Sequence, residues 1–144
     1  MPTPVLVLSG PNLNLLGERE PHIYGSETMA DHVAAVVDEL GPGFAVEHVQ
    51  SNHEGELIDA IQGARGRCGA VIVNAAAFSH YAWGIHDALS TFEGIVIEVH
   101  LSNPYARESW RHTSVISPVA NGVVCGFRGL GYRFAARAVK ELLA

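Results

Sequence analysis

The sequence predicts a doubly wound α/β sandwich, with about five parallel strands and helices on both faces. Three observations point there. Short apolar runs alternate with helical patterns along all 144 residues, the arrangement that builds right-handed βαβ units. Most of the runs are continuously apolar, as strands covered on both faces are. The unusual polar stretches follow the first, third and fourth runs. They therefore collect beyond the carboxyl ends of the strands, where ligands bind in such sheets.

Taken in order, residues 5–8 form the first strand, short, apolar and rich in valine. The stretch SGPNLNLLGEREPHIYG over residues 9–25 comes next. A strand-to-helix connection needs only about two to six residues, so a segment this long and polar reads as a functional lid. Leu13, Leu15, Leu16 and Ile23 within it predict partial packing. Thr28 and Asp31 have capping-box spacing. Met29, Val33, Val36, Val37 and Leu40 make the apolar stripe of a helix that Gly41-Pro42-Gly43 stops.

Residues 44–50 alternate as a less buried strand, and residues 51–55 open a second helix with Leu57, Ile58 and Ile61 facing inward. A third strand over 70–73 ends on Asn74, and AAAFSHY leads into a helix over 84–91. The fourth strand, 95–99, runs out through Glu98-Val99-His100. Residues 101–118 are polar, with one short helix expected near Arg107; a fifth strand over 122–125 and a helix over 132–144 close the chain. Without repeats or linkers, residues 1–144 read as one domain. Five strands favour the flavodoxin-like order, with the binding crevice between the first and third.

Composition narrows the function. A net charge of −6 with no basic stripe argues against nucleic acid. No apolar run approaches the roughly 18 residues of a membrane span, and the first residues lack the basic region of a secretory signal. Cys68 and Cys125 have neither metal nor framework spacing, which fits packed thiols in a reducing cytoplasm. Lys140 is the only lysine and lies near the end of the last helix, so imine chemistry has almost no candidate. Arg19, Arg107 and Arg111 instead occupy loops and suit a small anionic ligand.

Two pairs of residues carry the chemistry. Glu98 and His100 are two apart on a strand, so they share a face, and a carboxylate there orients the imidazole. A buried ion pair at a strand end would look the same. Arg19 and Tyr24 share the lid, close enough for a guanidinium to meet a phenol. A tyrosine base at neutral pH needs such a cation, since the free phenol titrates near pH 10, about three units away. An exposed tyrosine beside a solvated arginine is the plainer reading. His80, His86 and His100 lack any metal-binding spacing, while His32 and His48 suit packing or the surface. GFRGLG matches neither a dinucleotide fingerprint nor a phosphate loop and reads as a tight turn.

Four segments, GPNLNLLGEREPHIYG, SNHEGELID, NAAAFSH and EVHLSNPYARESWRH, together resemble the type II 3-dehydroquinate dehydratases. The likeness runs from about residue 6 into the last helix. It implies a flavodoxin-like, cofactor-free cytoplasmic enzyme of the shikimate pathway or quinate breakdown, without metal. It also implies a homododecamer built as a tetramer of trimers. The substrate would be 3-dehydroquinate, dehydrated by anti elimination through an enolate, with 1–144 as a single catalytic domain. The resemblance makes Tyr24 the base and Arg19 the cation favouring its ionised form. His100 becomes the general acid, oriented by Glu98, and Asn12 holds a water on the enolate. Asn74, His80, Arg111 and the Leu101 and Ser102 amides would hold the substrate, with Asp87 reaching in from a neighbouring subunit.

The sequence departs from that pattern in two places. Ser9 stands where an asparagine is usual, and Tyr81-Ala82-Trp83-Gly84 replaces Thr-Ser-Val-Ala. The rival reading is a non-catalytic flavodoxin-like binding or signalling module. A phosphoacceptor receiver would want an aspartate where Asn74 stands and a lysine after the fifth strand. A flavin binder would want a hydroxyl-rich loop where Pro11-Asn12-Leu13-Asn14 stands.

Overall fold

The computed structural model describes all 144 residues, Met1–Ala144. Its strands are β1 (Thr3–Ser9), β2 (Phe44–Gln50), β3 (Ala70–Asn74), β4 (Ile95–His100) and β5 (Gly122–Cys125). Between them run α1 (Pro21–Tyr24), α2 (Met29–Leu40), α3 (Glu54–Ala64), α4 (Trp83–Ser90) and α5 (Leu130–Leu142). The sheet order is β2-β1-β3-β4-β5, with every neighbouring pair parallel. This is the expected flavodoxin-like winding. From adjacent β1 and β3 the chain departs toward opposite edges of the sheet, which opens a crevice between them.

Strand periodicity divides the apolar residues between two cores. Val5, Val7, Ile72, Ile97 and Val99 face α2 and α5; Leu6, Leu8, Val71, Val73 and Val96 face α3 and α4. Leu6 and Leu8 are 2% and 1% exposed, and cutting either back to alanine would cost about 2–5 kcal/mol. Cover on both faces is why β1 and β3 read as unbroken apolar runs. Strand β2 lies at the edge and has no fully buried residue, as its mixed pattern predicts. The α2 capping box forms: Thr28 Oγ1 accepts from Asp31 N–H at 3.2 Å, and Asp31 accepts from Thr28 N–H at 2.9 Å.

The departures from expectation lie in the connections. The lid contains a 3-10 turn at Leu13–Leu15 and the single helical turn α1. Pro21 starts that turn, where its missing N–H costs nothing. Leu13 and Leu16 are buried in the α2/α5 core and Ile23 packs against it; Leu15 does not and is 43% exposed. Beyond β4, three 3-10 turns (Pro104–Ala106, Ser109–Arg111 and Ser117–Val119) replace the one expected helix. Prolines and side-chain caps break this segment before an apolar stripe can develop. Helix α5 begins at Leu130, earlier than predicted, because Gly131 belongs to the helix rather than the turn. It is buried in the first turn, where a Cβ would meet Val99 and Val124 only at ordinary contact distance. No helix is long and apolar enough to cross a membrane.

Candidate active site

The carboxyl ends of β1, β3 and β4 open into one cleft of about 550 Å³, counted to its open mouth. Its floor is set by register. Ser9 pairs with Asn74, and Gly10 N–H then donates to the Asn74 carbonyl at 2.8 Å. Only glycine fits at position 10, since a Cβ there would lie 2.3 Å from the Ala75 carbonyl oxygen. Asn12 turns the chain in a left-handed conformation, φ 69°. The end of β2 holds it there: Asn52 Oδ1 accepts from Asn12 N–H at 2.9 Å, and Gln50 Nε2 donates to the Gly10 carbonyl at 3.1 Å. Ala76 also has a positive φ, 53°, a strain of about 1–3 kcal/mol for a residue with a Cβ. The Asn74 side chain helps fix it, with Oδ1 accepting from Ala76 N–H at 3.1 Å.

Asn12, Arg19 and Tyr24 from the lid, Asn74 at the end of β3 with His80 beyond it, and His100 at the end of β4 with Leu101, Ser102 and Arg111 beyond it all line this cleft. Glu98 stands directly behind His100 and is 1% exposed. Asp87 is exposed on α4 and does not line the cleft of its own chain. Within the lid, the Arg19 guanidinium carbon lies 4.5 Å from the centroid of the Tyr24 ring. Arg107 approaches the same ring at 5.3 Å and donates from Nη1 to Ser102 Oγ at 3.1 Å. Two cations therefore attend one phenol.

Opposing influences set the charge of the β4 pair. Burial penalises ionised Glu98, but the His100 ring and the Ser117 and Ser114 hydroxyls hold its carboxyl below the usual carboxylate range. His100 Nε2 and Glu98 Oε2 are 2.5 Å apart. Because folding depresses this pKa, the associated stability is present above the unfolded value, near 4.3 (approximately), and is lost as pH falls through the folded value. Denaturant melts of wild type and Glu98→Gln should thus differ at pH 7 and converge below about pH 4. A gap that stays constant with pH would contradict the assignment. His80 behaves oppositely. Burial pushes its pKa down, with His100 and Arg111 adding to the effect. A neutral ring whose Nδ1 donates to the Thr113 carbonyl at 2.8 Å keeps Nε2 as an acceptor.

The structure adds residues that the sequence did not single out for the site. Arg107 stood out only as a loop cation, although its place in the same polar segment as Arg111 was a usable signal. Gln50 ends the edge strand β2 and Asn52 follows it, and nothing local marks them. Tyr132 is fully buried on α5, its phenol pushed up to about 12 mainly by burial. Its hydroxyl accepts from Asn74 Nδ2 at 3.3 Å, which holds the second end of that amide. His32 is a packing residue, stacked on Tyr132 at 4.9 Å. Ser9 bonds to His48 Nε2 at 3.0 Å and to the Met29 sulfur at 3.4 Å, so its side chain is satisfied beneath the cleft. Tyr81 and Trp83 project outward, 58% and 61% exposed.

A flavodoxin-like sheet carrying an arginine-flanked tyrosine and a carboxylate-backed histidine at its switch point defines an α/β enzyme. Residues 3–140 match the family model described as dehydroquinase class II. The chain is 52% identical over 140 residues to 3-dehydroquinate dehydratase 2 of Pseudomonas aeruginosa, covering 95% of this chain and 93% of that one. It is 49% identical over 138 residues to the 3-dehydroquinate dehydratase of Halalkalibacterium halodurans, covering 95% of each. The crystal structure of type II dehydroquinase from Propionibacterium acnes superposes with a TM-score of 0.91 at 40% identity, over 98% of both chains. The chain belongs to the class II dehydroquinase family. Membership sets aside the non-catalytic rival.

Proposed function

We propose that this chain, as one catalytic domain over residues 1–144, converts 3-dehydroquinate to 3-dehydroshikimate by anti elimination of water in the shikimate pathway. The observation that carries the reading is the pairing, in one cleft, of Tyr24 under two guanidiniums with His100 backed by Glu98. Tyr24, as phenolate, takes the proton next to the substrate ketone. The electron pair moves onto the ketone oxygen, giving an enolate. Collapse of the enolate forms the ring double bond and expels the β-hydroxyl, which leaves as water with a proton from His100. Arg19 and Arg107 stabilise negative charge on the phenolate and then on the enolate. Preorganised charges of this kind are usually the largest catalytic contribution.

Asn12 holds a water on the enolate oxygen. Arg111, Asn74, the Leu101 and Ser102 amides and His80 take the carboxylate and hydroxyls, with His80 Nε2 as acceptor. Asp87 serves the cleft of a neighbouring subunit within a homododecamer, a tetramer of trimers, in the cytoplasm. The family likeness and the exposed aromatics Tyr81 and Trp83, at the start of α4, support this assembly. No imine is needed, and Lys140 lies in the last turn of α5, outside the cleft. Borohydride added with 3-dehydroquinate, followed by dialysis, should leave both turnover and protein mass unchanged, and a chelator should have no effect. A substrate adduct on Lys140, or activity lost to the chelator, would refute the mechanism.

A further inference from the structure

We infer that Ser114 is a positioning residue that keeps Glu98 ionised and thereby fixes which nitrogen of His100 exchanges a proton with substrate. The inference rests on His100 being the acid of the proposed reaction. Ser114 Oγ accepts two backbone N–H groups, from Ile116 at 3.1 Å and Ser117 at 3.2 Å. A hydroxyl has two lone pairs and a single hydrogen. With both lone pairs engaged, that hydrogen is directed to Glu98 Oε2, 2.7 Å away. Ser117 Oγ donates to the other oxygen, Oε1, at 2.5 Å. Each oxygen of a carboxyl that is 1% exposed thus receives a hydroxyl hydrogen, and hydrogen bonds to the charged form favour that form.

With Glu98 held as an anion, the proton in its 2.5 Å contact with His100 resides on imidazole Nε2. Nδ1 is then the nitrogen that faces the reaction: it gives its proton to the leaving hydroxyl when both ring nitrogens are protonated, and Nε2 keeps the proton shared with Glu98. The segment bearing Ser114 is itself fastened. His80 Nδ1 donates to the Thr113 carbonyl at 2.8 Å, His86 Nδ1 to the Val115 carbonyl at 2.7 Å, and Val115 N–H to the Ser79 carbonyl at 2.7 Å. A chain of contacts therefore runs from α4 through Ser114 and Glu98 to His100. The other ionisable groups facing the pair in the small cavity behind it are His80, Tyr105, Arg111, His112 and Cys125.

The test combines nitrogen-15 NMR of histidine-labelled protein with steady-state kinetics. His100 Nε2 should carry a proton in the wild type, and Ser114→Ala should weaken or broaden that signal. The same variant should lower kcat about tenfold, the size of one charge-assisted hydrogen bond, with KM within about twofold. The double variant Ser114→Ala, Glu98→Gln should be no slower than Glu98→Gln alone, as expected when one residue acts through the other. If Ser114→Ala does not fold, Ser114→Cys, which keeps the size of the side chain but offers only a weak donor, is read by the same criteria. A His100 proton on Nδ1 alone, an unchanged His100 spectrum in the variant, or losses that multiply would overturn the inference. A folded wild type with the proton on Nε2 but no turnover of 3-dehydroquinate would reject the proposed reaction and leave the Ser114 contact standing.

Discussion

Tyr24→Phe should lower kcat by about a hundredfold to ten-thousandfold, the usual worth of a positioned general base, while leaving the fold intact. The ring is 7% exposed and packs in the α2/α5 core, and phenylalanine preserves its shape while removing the hydroxyl. Arg19→Ala should cost a comparable amount. It removes the nearer of the two cations on that ring but leaves the one at 5.3 Å, so residual activity should exceed that of Tyr24→Phe. Stabilising charge on a phenolate has no effect once the phenol is gone, and without that base the enolate that Arg19 also steadies scarcely forms. The double variant should therefore be little worse than Tyr24→Phe alone. Losses that multiply would show the two residues acting independently.

The second large effect concerns assembly. Asp87 is exposed on α4 and lies outside its own chain's cleft, and the same short helix carries exposed Trp83 just after exposed Tyr81. Large aromatics at such a position are characteristic of subunit contacts. If Asp87 completes a neighbour's site, Asp87→Ala should reduce kcat/KM about tenfold to a hundredfold, the worth of a buried hydrogen bond to a charged group. Melting of the subunit fold should be unaffected. Folded monomers should be inactive. Specific activity measured beside molar mass through a dilution or mild-denaturant series checks this, and a fully active folded monomer would contradict it.

How much of this was legible depended on whether the signal was local. β1 and β3 were readable because a strand covered on both faces must be apolar at every position, and Val5 to Leu8 is. The lid was readable from its length, and Arg19 and Tyr24 from their shared loop. Glu98 and His100 followed from strand periodicity alone. Arg107 was not separable from Arg111, since only the 3-10 turns after β4 bring it to the Tyr24 ring. Gln50, Asn52 and Tyr132 act through partners 40 to 58 residues distant, and no spacing rule reaches that far. Ser114 reads as an ordinary loop serine until its two backbone donors are seen. Leu15 was misjudged because an apolar residue in a lid can face either way, and turn geometry decides which.

The central claim is tested most directly by adding 3-dehydroquinate to the purified protein and following the ultraviolet absorbance of the conjugated enone. Dehydration places a double bond between the ketone and the carboxylate-bearing carbon, so absorbance should rise and then level off as substrate is consumed. Under the same conditions Tyr24→Phe should give almost no rise. Folded, assembled wild-type protein that leaves the absorbance flat at saturating substrate would contradict the account.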